Sequence, residues 1–301
     1  MKRCLTILVF VLLILLIASQ SLVLAGNKTV VWKMATKMPS LSPEGKCYQH
    51  FSDEIARLSN GKMEIVVYPS EQLGAVSATL DMLRKGTIHV YPESLTFAHV
   101  WVPEVTLAGL PFGFRDRDHW EKFMNSPMAQ QWKKQLEEET GISYLGNYGD
   151  FLRGPYRVLV STRPILSLSD VKGLKLRMYK NEVVMKIWEE LGAQVIGLPY
   201  TEVYQGMKTG LIEAVTTSLA GVRPMHFEEV GKYILRTNEF PQSIVFYINL
   251  NEYNALSDDL KQVVQKAYKA ACDLSWEIIN KVGTDDVKIM VQQEGIKFIE
   301  A

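Results

Sequence analysis

Apolar residues along the chain switch between two spacings, and the switching happens twice. KTVVWKMA, residues 28 to 35, is rich in β-formers and largely apolar. Ser42 followed by Pro43 and Glu44 marks a helix start. Cys47, Phe51, Ile55 and Leu58 then repeat at helical spacing, and Asn60-Gly61 ends the run. MEIVVYP, 63 to 69, predicts a strand closed by proline. Val76, Leu80 and Leu83 predict a helix stopped by Gly86, and TIHVY, 87 to 91, a third strand. The second round reads LKLRM (174 to 178), a helix on Val184, Ile187, Trp188 and Leu191, and AQVIG (193 to 197). A short helix over 201 to 209 and LIEAVTT (211 to 217) complete it.

Two β-α-β-α-β rounds predict two lobes, each a parallel sheet covered by helices. Between them lie a helical stretch from His119 to Glu139, broken at Ser126-Pro127, and the strands ISYLGNY and YRVLVS. After the second round, SIVFYINL (243 to 250) predicts a strand. Leu260, Val263, Val264, Ala267 and Ala271 open a long helix. IKFI is strand-like just before Ala301, an abrupt end that suggests a further C-terminal segment.

The N-terminus follows neither spacing. Lys2 and Arg3 precede an apolar run from Leu5 to Ala18, and Val23 and Ala25 stand where a signal peptidase reads. This is the pattern of a secretory signal over residues 1 to 25; as an uncleaved anchor the run would be short for a span. Cys4 would leave with the signal. Cys47 and Cys272 would remain, free to pair in an oxidising compartment, although spacing alone does not show the geometry.

Composition adds limits. The 301 residues are 47% hydrophobic and 22% charged, enough for a large core. Formal net charge is zero, and cleavage would remove only two basic residues, so nothing points to nucleic acid. His50, His89, His99, His119 and His226 are scattered without metal-ligand spacing. There is no GxSxG elbow and no phosphate-binding loop, and GLPFG at 109 to 113 lacks the dinucleotide fingerprint. No cofactor, metal site or catalytic residue is predicted.

Arginine is the positive signal. Arg177 ends the strand GLKLRMY and Arg157 begins another. Ligands of open parallel sheets bind beyond the carboxyl ends of strands. Glu93, Arg177, Met178, Pro199 and Thr217 all fall near such ends. A guanidinium there can pair with a protein carboxylate, point to solvent, or grip an acidic ligand through two parallel hydrogen bonds.

YPSEQLG (68 to 74), YRVLVSTRPI (156 to 165), DVKGLKLRMY (170 to 179), LGAQVIGLPYTEVYQGMKTGLIEAV (191 to 215) and FEEVGKYI (227 to 234) carry a more specific signal. In this order the chain resembles the substrate-binding proteins of tripartite ATP-independent periplasmic (TRAP) transporters, the DctP-like family. The resemblance implies a two-lobed periplasmic binding protein fold of class α/β, with a long C-terminal helix under both lobes. Lobe I would hold residues 26–154 and about 243–280, lobe II 155–242 and about 281–301, with hinge strands between. It implies a periplasmic protein that delivers a small organic acid to a membrane permease driven by an ion gradient.

The family pattern gives Arg177 the role of clamping the ligand carboxylate, with Arg157 assisting and Tyr200 lining the pocket. Thr217 occupies a position often held by asparagine, so the head group would sit differently. Glu93 matches a pocket glutamate, or else holds an arginine in place. Arg153 is a pocket residue or a hinge ion pair. Thr96 replaces an arginine of sialic acid-binding relatives, which argues against that ligand. The rival readings are a module feeding a sensor and, with less support, a secreted enzyme. The oligomeric state is not legible.

Overall fold

The computed structural model describes residues 29–300, and the expected secretory signal lies outside them. Among the described residues no helix is long and apolar enough to cross a membrane.

The first round forms β1 (Val30–Ala35), α1 (Pro43–Leu58), β2 (Met63–Tyr68), α2 (Val76–Arg84) and β3 (Val90–Glu93). Ser42 caps α1 as its spacing requires, its hydroxyl accepting from the Gly45 N–H at 2.9 Å. β3 lies two to three residues later than TIHVY suggested, because the turn after α2 keeps residues 86 to 88 out of the ladder. Its final residue is therefore Glu93. The linking stretch gives α3 (Arg117–Met124) and α4 (Pro127–Thr140), split by the Ser126 cap, then β4 (Ile142–Leu145) and β5 (Phe151–Leu152).

β6 (Arg157–Ser161) leads into the second round: β7 (Lys175–Met178), α5 (Glu182–Glu190), β8 (Gln194–Gly197), α6 (Val203–Lys208) and β9 (Ala214–Ser218). α7 (Phe227–Val230) and β10 (Tyr233–Arg236) follow, then β11 (Ser243–Asn249), α8 (Leu250–Asn254), α9 (Asp258–Gln293) and β12 (Lys297–Glu300). β10 was not expected. Four residues are too few to display the two-residue period.

These strands build two six-stranded sheets. One has the order β2-β1-β3-β11-β4 with β5 on β11, the other β12-β10-β6-β9-β7-β8. Pairing is parallel within each β-α-β round, as expected. It is antiparallel where β11 returns to the first sheet and around β6 in the second. β10 and β12 pair in parallel, so parallel pairs prevail in the second sheet, three to two, and antiparallel pairs in the first, three to two. Strands returning from a distant part of the chain need no right-handed crossover and can run either way.

α9 contacts α1 and β5 of the first layer and β12 of the second. Cys47 and Cys272 sit in this packing as buried free thiols. Burial pushes each up to about 12, which disfavours the reactive thiolate. The centre of the first layer is Phe246 of β11, whose ring meets Tyr48, Phe51, Phe151 and Tyr268 at 5.2–5.6 Å. Replacing it would strip contacts from α1, β5 and α9 at once. Phe246→Ala is expected to cost about 3–5 kcal/mol, read as a lowered midpoint in urea unfolding.

Candidate ligand-binding cleft

A cavity of about 1150 Å³ lies between the two sheets. The first layer supplies Lys37, just past the carboxyl end of β1, Glu71 past β2, and Ser94, Thr96 and Phe97 past β3. The second supplies Arg177 and Tyr179 at the end of β7, Leu198 to Tyr200 past β8, and Thr216 to Ser218 of β9. Strand carboxyl ends from both sheets thus converge on one space, which is why the alternation of elements alone located it.

The two walls touch. Thr201 donates its hydroxyl to Glu71 Oε2. Asn181 Nδ2 donates to Thr106 Oγ1 at 3.1 Å, and the rings of Phe97 and Tyr179 lie 5.1 Å apart.

Five of the six residues singled out in the sequence line the cavity, and two of them, Arg177 and Thr217, meet Tyr200. Arg177 is 6% exposed. Its Nε donates to the Leu198 carbonyl at 2.8 Å, and its guanidinium lies 5.4 Å from the Tyr200 ring centre. Among the described residues it has no ion-pair partner, and neither terminal nitrogen is hydrogen-bonded. Burial pulls its pKa down to about 10, with the neighbouring Arg157 charge adding to the effect. The hydroxyls of Tyr200 and Thr217 share a 2.6 Å hydrogen bond, and both residues line the cavity. Phe227 props the Tyr200 ring edge-on at 5.5 Å.

Arg157 also lines the cavity, but its Nε is paired with Glu239 at 3.1 Å. Its Nη2 donates to Thr216 at 2.7 Å, and its guanidinium stacks 4.6 Å from the Phe240 ring centre.

Arg153 and Glu93 belong to a buried ionic network. Arg153 Nη1 meets Glu93 at 2.6 Å, and its Nε meets Glu44 at 3.3 Å. Lys37 Nζ lies 2.6 Å from the other Glu93 oxygen. Tyr48 donates to Glu44 at 3.0 Å, and the Ser94 N–H to Glu93 at 2.8 Å. Arg153 and Lys37 face the cavity, whereas Glu93 stands behind its wall. Burial pulls Lys37 down to about 8. Burial alone would raise the Glu93 carboxyl, but Arg153, Lys37 and the Ser94 N–H outweigh it and hold it at about 2.

Several residues of the cavity wall, or directly behind it, had no sequence signal of their own. Lys37 satisfies the same strand-end rule that singled out Arg177 and could have been found with it. Glu239 and Gln242 lie in an irregular stretch where no period exists. Ser70 and Glu71 both take left-handed backbone, with φ of 53° and 56°, in a loop whose conformation the residue types do not announce.

A family model described as "Bacterial extracellular solute-binding protein, family 7" (DctP) matches residues 34–301. The chain belongs to this family. Its family 7 relatives are solute-binding proteins, not enzymes. A solute-binding protein of Roseobacter denitrificans is 25% identical, over 92% of this chain and 85% of its own length. The sialic acid-binding periplasmic protein SiaP of Vibrio cholerae is 25% identical, covering 90% and 83%. The 2,3-diketo-L-gulonate-binding periplasmic protein YiaO of Escherichia coli is 27% identical, covering 83% and 74%.

Crystal structures share the fold of this family 7 protein. A TRAP periplasmic solute-binding protein from Roseobacter denitrificans with bound L-galactonate superposes with a TM-score of 0.83 at 23% identity, covering 91% of this chain and 89% of its own. The sugar acid-binding protein of Advenella mimigardefordensis in complex with galactonate gives 0.83 at 24%, covering 91% and 86%. The DctP-like assignment made from YPSEQLG through FEEVGKYI holds.

The ionic network makes stability pH-dependent. The folded carboxyl of Glu93 lies below its ordinary 4.5, so its contribution is complete above that value and is lost as pH falls towards 2. Stability is expected to drop by about 3 kcal/mol from this group across that window. The Glu93→Gln protein should lose less over the same range, as measured by urea midpoints at successive pH values.

Proposed function

We propose that this protein captures a small hydroxylated monocarboxylate, of the sugar acid class, and that Arg177 receives its carboxylate. The observation that carries the reading is the charge pattern of the cleft. Lys37 and Arg153 are answered by Glu44 and Glu93, and Arg157 by Glu239. Among the described residues, Arg177 alone is buried beside the cavity without a carboxylate. A bidentate pair with an incoming acid would supply it.

The remaining polar atoms suit hydroxyl groups. Glu71 Oε1, Gln242 Oε1 and the Tyr179 hydroxyl are buried, lack hydrogen-bond partners and belong to lining residues. The Glu71 carboxylate also disfavours a second negative group on the ligand. Relatives support the class. The matching crystal structures hold L-galactonate, D-glucuronate and galactonate, and one holds sn-glycerol-3-phosphate, a hydroxylated anion of another type.

Capture proceeds by closure of two lobes. Lobe I is 26–154 with about 243–280, and lobe II 155–242 with about 281–301. With the cleft open, water solvates Arg177. As the walls meet, water leaves, and the acid must neutralise the guanidinium or the closed form is penalised. Ligand therefore shifts the population towards closure, with Thr201–Glu71 and Asn181–Thr106 latching the rim. Micromolar affinity, about 8 kcal/mol, suits a scavenger. The protein is exported to the periplasm, where the closed form hands its acid to the permease subunits of a TRAP transporter.

Calorimetry with galactonate, glucuronate, glycerol 3-phosphate and malate tests this reading. At least one sugar acid is expected to bind at micromolar level, and malate more weakly. Arg177→Ala should weaken that binding at least about 100-fold, and Arg177→Lys should restore little of it. The unliganded Arg177→Ala protein should melt no lower than the parent, because the change removes a desolvated cation without a partner. Undiminished affinity in Arg177→Ala would falsify the arginine assignment. Tight binding of malate with none of the sugar acids would overturn the ligand class.

A further inference from the structure

α7 and the residue before it bring a histidine and two glutamates together. We propose that His226, Glu228 and Glu229 form a binding site for a divalent transition-metal ion of the zinc type. Their donor atoms all lie within 4.8 Å of one another. His226 Nδ1 is already 3.1 Å from Glu229 Oε1. Zinc bonds of about 2.0–2.2 Å to nitrogen and oxygen place neighbouring donors roughly 3.3 Å apart in a tetrahedral site. A short movement of Glu228 or of the two exposed side chains would complete three ligands and leave a fourth position for water.

The decisive feature is Glu228. The residue is 7% exposed, and its Oε2 is buried with no hydrogen-bond partner. No lysine or arginine among the described residues forms an ion pair with it. Arg223, the guanidinium in this region, is committed to Asp286 at 3.1 Å and Glu294 at 3.2 Å. Lys232 Nζ donates to the backbone carbonyl of Glu228 at 2.8 Å, not to its carboxylate. A buried carboxylate oxygen with neither proton donor nor cation is costly, and a metal ion at this spot would satisfy it.

The surroundings also fit a metal. The Tyr204 hydroxyl donates to Glu229 Oε2 at 2.9 Å, which orients that carboxylate and leaves Oε1 beside His226 Nδ1. Such outer hydrogen bonds are what metal-ligating carboxylates usually carry. A mixed set of one imidazole and two carboxylates suits zinc better than calcium or magnesium, which prefer oxygen alone. The three residues neighbour Phe227 in sequence, and the Phe227 ring meets Tyr200 edge-on at 5.5 Å.

Chelator-treated, untagged protein titrated with zinc chloride in a calorimeter tests the proposal. One site per chain is expected. His226→Ala and Glu229→Gln, both at exposed positions, should each weaken it at least about tenfold with unchanged circular dichroism and melting temperature. Glu228→Gln should do the same. Substituting cobalt(II) should give a visible absorption band that His226→Ala abolishes. No stoichiometric zinc binding by the parent protein would overturn the site, as would binding that survives His226→Ala intact.

Discussion

A buried positive charge without a buried negative one is the constraint around which the cleft is organised. Every other cation that faces deep into the cavity is matched by a carboxylate of the same chain. Those pairs are rigid parts of the walls. Glu44 reaches from α1, Glu93 from β3 and Arg153 from the segment after β5, so the network ties three elements of the first layer to one another. Breaking such a pair by removing one member leaves a charge stranded in low dielectric, a far larger loss than an exposed ion pair represents. Arg177 is the exception, and its surroundings leave it open to the partner proposed above. The Leu198 carbonyl fixes its Nε, the Tyr200 ring lies beside its guanidinium, and both terminal nitrogens stay free.

Tyr200 connects these two regimes. Lys37 approaches its ring centre to 5.0 Å and Arg177 to 5.4 Å, so one aromatic quadrupole stabilises a cation of the internal network and the cation that has no carboxylate. Its hydroxyl is bound to Thr217, and Phe227 holds the ring from its edge. The ring position is thereby set by packing and hydrogen bonding within the second layer, and a ligand would meet a wall already in place.

Much of the fold was legible because its elements are long and periodic. α1, α4 and α9 carry capping serines and apolar faces that mean the same in isolation as in the protein. β10 and the exact span of β3 were not, since short strands are defined by their neighbours in the ladder. The site was legible in half. Strand-end position and family pattern led to Arg177, Arg157, Tyr200 and Thr217, all of which line the cavity. The distinction between a paired and an unpaired arginine was out of reach. It depends on Glu239, which follows Arg157 by 82 residues in an irregular segment. Glu93 illustrates the same limit. Its residue type and place allowed either a ligand contact or an internal partner, and only the positions of Lys37 and Arg153 distinguish these.

The place of β11 has a temporal consequence. It is the strand that joins β3 to β4 and receives β5, yet it is made after the whole second round. A chain emerging from its N-terminus therefore carries β4 with no neighbour in the sheet until roughly a hundred further residues have appeared, a pairing of high contact order. β2, β1 and β3 can already pair in that interval, whereas β4 and β5 wait for β11. β4 can complete its ladder only once β11 has been made, which makes closure of the first sheet a late event in folding.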